Sequence, residues 1–174
     1  MTMAELFNSV ENAISQYEQA CKQEEILYEM MRDAEYDMNR YSALASSAED
    51  PSAQKAALEQ MRAVALRYQE CQSKLQQVQS AKSQALQYLQ ATRGGLINVI
   101  KDIEEKLPKM DQSIDVFEQM ASNSFGASAA SQLPTLRQRR AEYQQNLNDA
   151  YILLDRIDSV LNGSGDSPHL VLRR

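Results

Sequence analysis

Three groups of residues in this sequence are of types that do chemistry. Glu25, Glu29 and Asp33 stand at i, i+4 and i+8, which puts three carboxylates on one face of a helix. Carboxylates so placed build dinuclear metal centres in helical bundles, but those centres also take a Glu-x-x-His element from each of two helices. The single histidine, His169, lies outside every helical pattern, so the acidic trio reads as a solvated face. Cys21 and Cys71 form no Cys-x-x-Cys, and no hydroxyl or thiol has a helical histidine to activate it. No catalytic residue, metal ligand or cofactor-binding residue emerges, and the chain reads as a non-enzyme with no cofactor.

The other two groups point to partners. Arg137, Arg139 and Arg140 crowd the first turns of a helical pattern, where cations oppose the macrodipole and invite an anion. That anion is the acidic first helix of the same chain, an acidic partner or a lipid headgroup. Leu170, Val171 and Leu172 alternate like a strand after the Gly- and Ser-rich lead Asn162–Pro168, and Arg173 and Arg174 follow. Such a segment suits strand addition to a sheet edge or docking in a groove.

The elements that position these residues are helices. The 174 residues carry a net charge of −6 with no Trp, and Gln, Ala, Glu and Leu abound, a composition of long helices in one domain. A net negative surface argues against nucleic acid, whose phosphates need a dense basic face. No stretch nears the roughly 18 consecutive apolar residues of a spanning helix. The opening Met1–Glu5 lacks the basic and apolar regions of a signal peptide, so the expected location is the cytoplasm, with any export by a leaderless route.

Apolar spacing of three and four residues runs from Met3 to Ala48 through Val10, Tyr17, Leu27, Met31, Met38 and Tyr41, broken only by Glu24. A seven-residue repeat held this long predicts a helix with a coiled-coil seam. Asp50 then offers an N-cap and Pro51 a first helical residue. A second row follows through Met61, Val64, Tyr68, Cys71, Leu75, Val78 and Leu89, with Lys82 as its polar entry. Residues 1–50 hold 3 basic and 11 acidic side chains, and residues 51–93 hold 6 and 2, a balance of −8 against +4. Opposite charge on equal rods predicts an antiparallel hairpin over residues 4–92. A turn centred near residue 49 sets Glu24 level with Lys74 and Cys71 level with Leu27.

Arg93-Gly94-Gly95 reads as a helix end. A third helix is expected over about 95–122, interrupted near Pro108, followed by a small-residue loop over 122–131. A fourth is expected over about 134–161, opening at Pro134. The expected fold is therefore all-α and bundle-like: a long antiparallel coiled-coil hairpin with two shorter helices packed on it, four in all. Residues 1–162 form one elongated domain, and 163–174 a flexible tail.

The long hairpin, the Gly pair between helices and the absent leader resemble the helical-hairpin substrates and partner proteins of type VII (ESX) secretion. Those hairpins commonly turn at Trp-x-Gly, whereas this chain turns at Glu49-Asp50-Pro51. The family's export signal, Tyr followed by an acid four residues on, corresponds to Tyr151 and Asp155. The resemblance implies an accessory or partner protein in secretion. The rods themselves imply protein–protein interaction without catalysis, with another helical protein or with a second copy, as a homo- or hetero-oligomer. The alternative is a self-assembling scaffold of a phage or cell envelope.

Overall fold

The computed structural model describes residues 2–123 and 126–163. They form three long helices in an up-down arrangement: α1, Met3–Ser47; α2, Pro51–Ala121; and α3, Ala127–Gly163. The four-helix expectation is corrected, because α2 runs unbroken for 71 residues where a helix end was read at Arg93-Gly94-Gly95.

The reason lies in phase. The apolar row steps from Leu89 through Thr92 to Leu96, Ile100, Ile103 and Leu107 without losing its face, apart from one extra four-residue step that unwinds the coil slightly. Leu89, Leu96, Ile100, Ile103 and Leu107 are all buried, so packing on both sides of the glycines holds the helix through them. Two exposed glycines cost about 1 kcal/mol each relative to alanine, which that burial outweighs. Neither takes the positive φ of a helix-ending glycine. Pro108 does not interrupt the helix either. It sits on the exposed side, where water can serve the Glu104 carbonyl that loses its amide partner.

The α1–α2 turn follows the sequence reading. Asp50 caps α2, its Oδ1 accepting from the Ser52 amide at 3.1 Å, with Pro51 as the first helical residue. At the start of α1, Thr2 and Glu5 form a reciprocal capping box at 2.7 and 3.2 Å. The small-residue loop is shorter than expected, for α3 begins at Ala127 rather than at 134. Alanine is the strongest helix former, and Ala127, Ala129 and Ala130 extend the helix ahead of Pro134. Gly126 is required where it stands, because a Cβ there would run into the backbone of Ala121.

By internal contacts the described residues divide into two units. The first joins Met1–Ile14 to Gln87–Arg174 and contains three helical segments. Its core is Val10, Ala13 and Ile14 of α1, the α2 row from Leu89 to Leu107, and Leu147, Ala150, Leu153 and Ile157 of α3. The partners Arg93–Asp158, Asp111–Arg140 and Glu118–Arg137 keep a nearly constant residue sum, which makes α2 and α3 antiparallel. Arg156 joins α3 to Glu11 of α1.

The second unit, Ser15–Leu86, is made by α1 and α2 alone. Its core is thin. Leu27, Cys71 and Leu75 cluster with Tyr28, Met31 and Val78, and the other buried positions are mostly small: Ala20, Ala34, Ala45 and Ala85 beside Val64 and Tyr17. Cys71 and Leu27, read from the sequence as level with each other, fall in one cluster, and both cysteines are free thiols.

Candidate functional site

The seam residues named from sequence line the helix pair. Val10, Tyr17, Leu27, Val64, Cys71, Leu75 and Leu89 are buried, while Met31, Met38, Tyr41, Met61, Tyr68 and Val78 are half-buried. The seam's two polar entries meet each other: Lys82 Nζ donates to Glu24 Oε2 at 2.7 Å, with side chains 22% and 13% exposed. Burial works against the Lys82 charge, but the Glu24 bond and the flanking Cys21 and Tyr17 overcome it and raise its pKa above the ordinary value. The ammonium also lies 5.9 Å from the Tyr17 ring centroid.

Glu24 was expected to meet Lys74, and the correction has a geometric cause. Side chains on a helix lean toward its own N-terminus. In an antiparallel pair, α1 side chains therefore lean away from the turn and α2 side chains toward it. Residues that touch have a larger sum than residues whose Cα atoms are level. The level sum for a turn at 49 is about 98 by the uniform rise of two helices, and the bonds observed run higher. Glu35 accepts from Tyr68 at 3.0 Å, Tyr28 from Gln79 at 3.2 Å and Glu24 from Lys82, sums of 103, 107 and 106.

Those bonds close one side of Ser15–Leu86. Tyr28 and Glu35 each follow a seam residue by one position, and a step of +1 turns the side chain about 100° round the helix. For two antiparallel helices facing one another, +1 positions fall on the same side. The opposite side is formed by −1 positions: Ile26, Met30, Asp33, Asp37, Arg40 and Leu44 on α1, and Ala56, Gln60, Ala63, Arg67, Glu70, Lys74 and Gln77 on α2. Here the surface is open. Three clefts follow one another along it, of about 450 Å³ beside Leu44 and Ala56, 110 Å³ between Asp33 and Arg67, and 330 Å³ beside Ile26 and Lys74. Ile26, Met30 and Leu44 are 56%, 46% and 51% exposed at its rim. Sequence reasoning missed this face, although Ile26, Met30 and Leu44, each just before a seam residue, already widen the apolar stripe.

The arginine group lies elsewhere. Arg137 binds Glu118 at 2.5 Å and Arg140 binds Asp111 at 2.9 Å, so both are held by α2 rather than by the acidic first helix. The Arg140 hydrogen bond outweighs the opposing desolvation and holds the Asp111 carboxyl below the ordinary range. Arg139 borders an open cleft with Lys109 and Tyr143. Tyr151 and Asp155 are both exposed on α3, and the Tyr151 hydroxyl donates to Glu104, which raises its pKa. Leu153 is fully buried while its neighbour Ile152 is 60% exposed. Leu170, Val171, Leu172, Arg173 and Arg174 lie outside the described residues. Glu25, Glu29 and Asp33 are exposed.

No group of three His, Cys, Asp or Glu side chains able to hold a metal occurs among the described residues. No described helix is long and apolar enough to cross a membrane. No protein-family model, curated protein or solved structure matches the chain.

Proposed function

We propose that this protein is a non-catalytic protein–protein interaction module whose docking surface is the open face of Ser15–Leu86. One observation carries the reading: a two-helix unit is closed by hydrogen bonds on one side and left with an apolar groove on the other. Half-exposed Ile, Met and Leu side chains each gain about 1 kcal/mol when covered, and a groove between two helices takes an amphipathic helix. The partner class is therefore a helical chain. On the type VII resemblance of the sequence, such a module would serve as an accessory or chaperone-like component of a secretion system, with Tyr151 and Asp155 on α3 as its export-signal candidates. A second reading, a self-assembling structural element, is favoured by the net charge of the two flanks of the groove, −1 over Asp33, Asp37 and Arg40 and +1 over Arg67, Glu70 and Lys74.

The test is affinity capture from the native cell with tagged wild type and two variants. Ile26→Glu with Leu44→Glu places charge on the open face, and Leu66→Glu places it about 200° away from the Val64 seam position, at a residue 62% exposed. Recovery of a helical partner, whether another protein or untagged copies of this one, is expected with wild type and Leu66→Glu and lost with the double variant. Equal recovery by all three would refute the docking surface.

A further inference from the structure

We propose that Ser15–Leu86 opens as a unit of its own under native conditions, its two helical segments parting while the three-helix unit stays folded. The inference goes beyond the docking surface and does not depend on it.

The two units are buried to different depths. Among the described residues, the largest fully buried side chains are Val10, Ile14, Leu89, Leu96, Leu153 and Ile157, and all six belong to the unit joining Met1–Ile14 to Gln87–Arg174. In Ser15–Leu86 no buried hydrophobic residue is less than 4% exposed, and only Ala20 and Ala85 reach that value. The cause is the number of helices. Arg156 joins α3 to α1 and Arg93 joins α2 to α3, so three helices shield one another's inner faces in the first unit. Two helices shield only the line between them, and each seam residue keeps an edge to water. α3 lies wholly in the first unit, so parting the α1–α2 pair within Ser15–Leu86 leaves the packing of α3 intact.

The cover thins toward the turn. Leu27, Cys71 and Leu75 form one cluster. Between it and the turn only Ala34, Ala45 and Val64 are buried, while Met31, Met38, Tyr41, Met61 and Tyr68 are half-buried. Eight alanines fall within residues 43–65. Alanine sustains each helix by propensity, but it brings little apolar area to the contact between them. The polar clasps do not make up the difference. The bonds Tyr68 to Glu35 and Gln79 to Tyr28 are exposed, where water competes for the same groups. The part-buried Lys82–Glu24 bond sits at the far end from the turn. Segments with few buried apolar contacts open at a lower free energy than the core they adjoin. A helix laid on the open face supplies the third layer that this unit lacks, and docking and closure then become one equilibrium. That coupling rests on the docking reading; the opening itself does not.

The experiment is native-state hydrogen exchange read by mass spectrometry on the purified full chain, without denaturant. Three proteins are compared: wild type, Ile157→Val and Leu75→Ala. In wild type the amides of residues 30–65 are expected to be less protected than those of 96–107 and 147–157 by at least about tenfold. Ile157→Val removes one methyl group from the core of the three-helix unit. It should lower protection of 96–107 and 147–157 by about fivefold and leave 30–65 unchanged, because an opening that keeps the first unit folded does not feel that loss. Leu75→Ala should lower protection of 30–65 by about thirtyfold or more, because the opening breaks the seam. Equal protection of the two units in wild type, an equal fall in both with Ile157→Val, or unchanged exchange of 30–65 with Leu75→Ala would each overturn the proposal. The open face as a docking surface is tested separately, by capture with the Ile26 and Leu44 variant.

Discussion

Replacing Gly94 and Gly95 by alanine should stabilise this protein, and the sign of the effect decides how α2 is built. Both glycines lie inside the 71-residue helix, both are exposed, and an added Cβ at either meets nothing within 4 Å. Neither has a positive φ. Alanine therefore brings only its helical preference, worth about 0.8–1.0 kcal/mol per site, or about 2 kcal/mol for the pair. For a chain of this size 1 kcal/mol moves the melting midpoint by about 2–4 °C, so the double variant should melt about 4–8 °C higher. The assay is thermal unfolding followed by circular dichroism, repeated in urea to read the free energy directly. Had the helix ended there with a glycine in the left-handed region, each alanine would cost about 1–2 kcal/mol instead. A lowered midpoint would refute the continuous helix.

Other consequences are as specific. Lys82→Ala leaves the nearly buried Glu24 carboxylate unpaired and should cost about 2 kcal/mol, whereas Glu24→Leu with Lys82→Leu should be near neutral, since apolar pairs often replace such ion pairs without loss; urea unfolding of the two variants distinguishes these outcomes. The pH dependence follows from the same pair. Lys82 has a raised pKa in the fold, so its contribution is fully present below the ordinary 10.5 and is lost as pH rises above that value. The difference in urea midpoint between wild type and Lys82→Met should close above pH 10.5 and stay constant from neutral pH to about 9, well below the lysine range. Leu153→Ala removes a fully buried side chain in the first unit and should cost about 3 kcal/mol, while Ile152→Ala, one residue away and exposed, should change stability by less than about 0.5 kcal/mol.

The seam was legible because a heptad row needs only side-chain type and spacing: Leu27, Cys71 and Leu75 fall where the pattern puts them, and Asp50-Pro51 marks the turn. The third helix boundary was not, because Gly94-Gly95 is a local signal and the packing of Leu89 and Leu96 across it is tertiary. The unbroken face of the row across the glycines was the clue that outweighed them. Likewise Pro134 suggested a helix start, whereas the alanines before it extend the helix by seven residues. The Glu24 partner required the lean of side chains toward each N-terminus, which level-counting omits. The open face required knowing which flank is bridged: Tyr28 with Gln79 and Glu35 with Tyr68 close the +1 side, leaving Ile26, Met30 and Leu44 uncovered on the other.

The most direct check of that face is photo-crosslinking in the native cell from a benzoylphenylalanine placed either at Leu44 on the open face or at Gln72 on the bridged side. Intermolecular products with a helical chain, another protein or a second copy, are expected from position 44 and not from position 72. Products from position 72 alone, or equally from both, would contradict it.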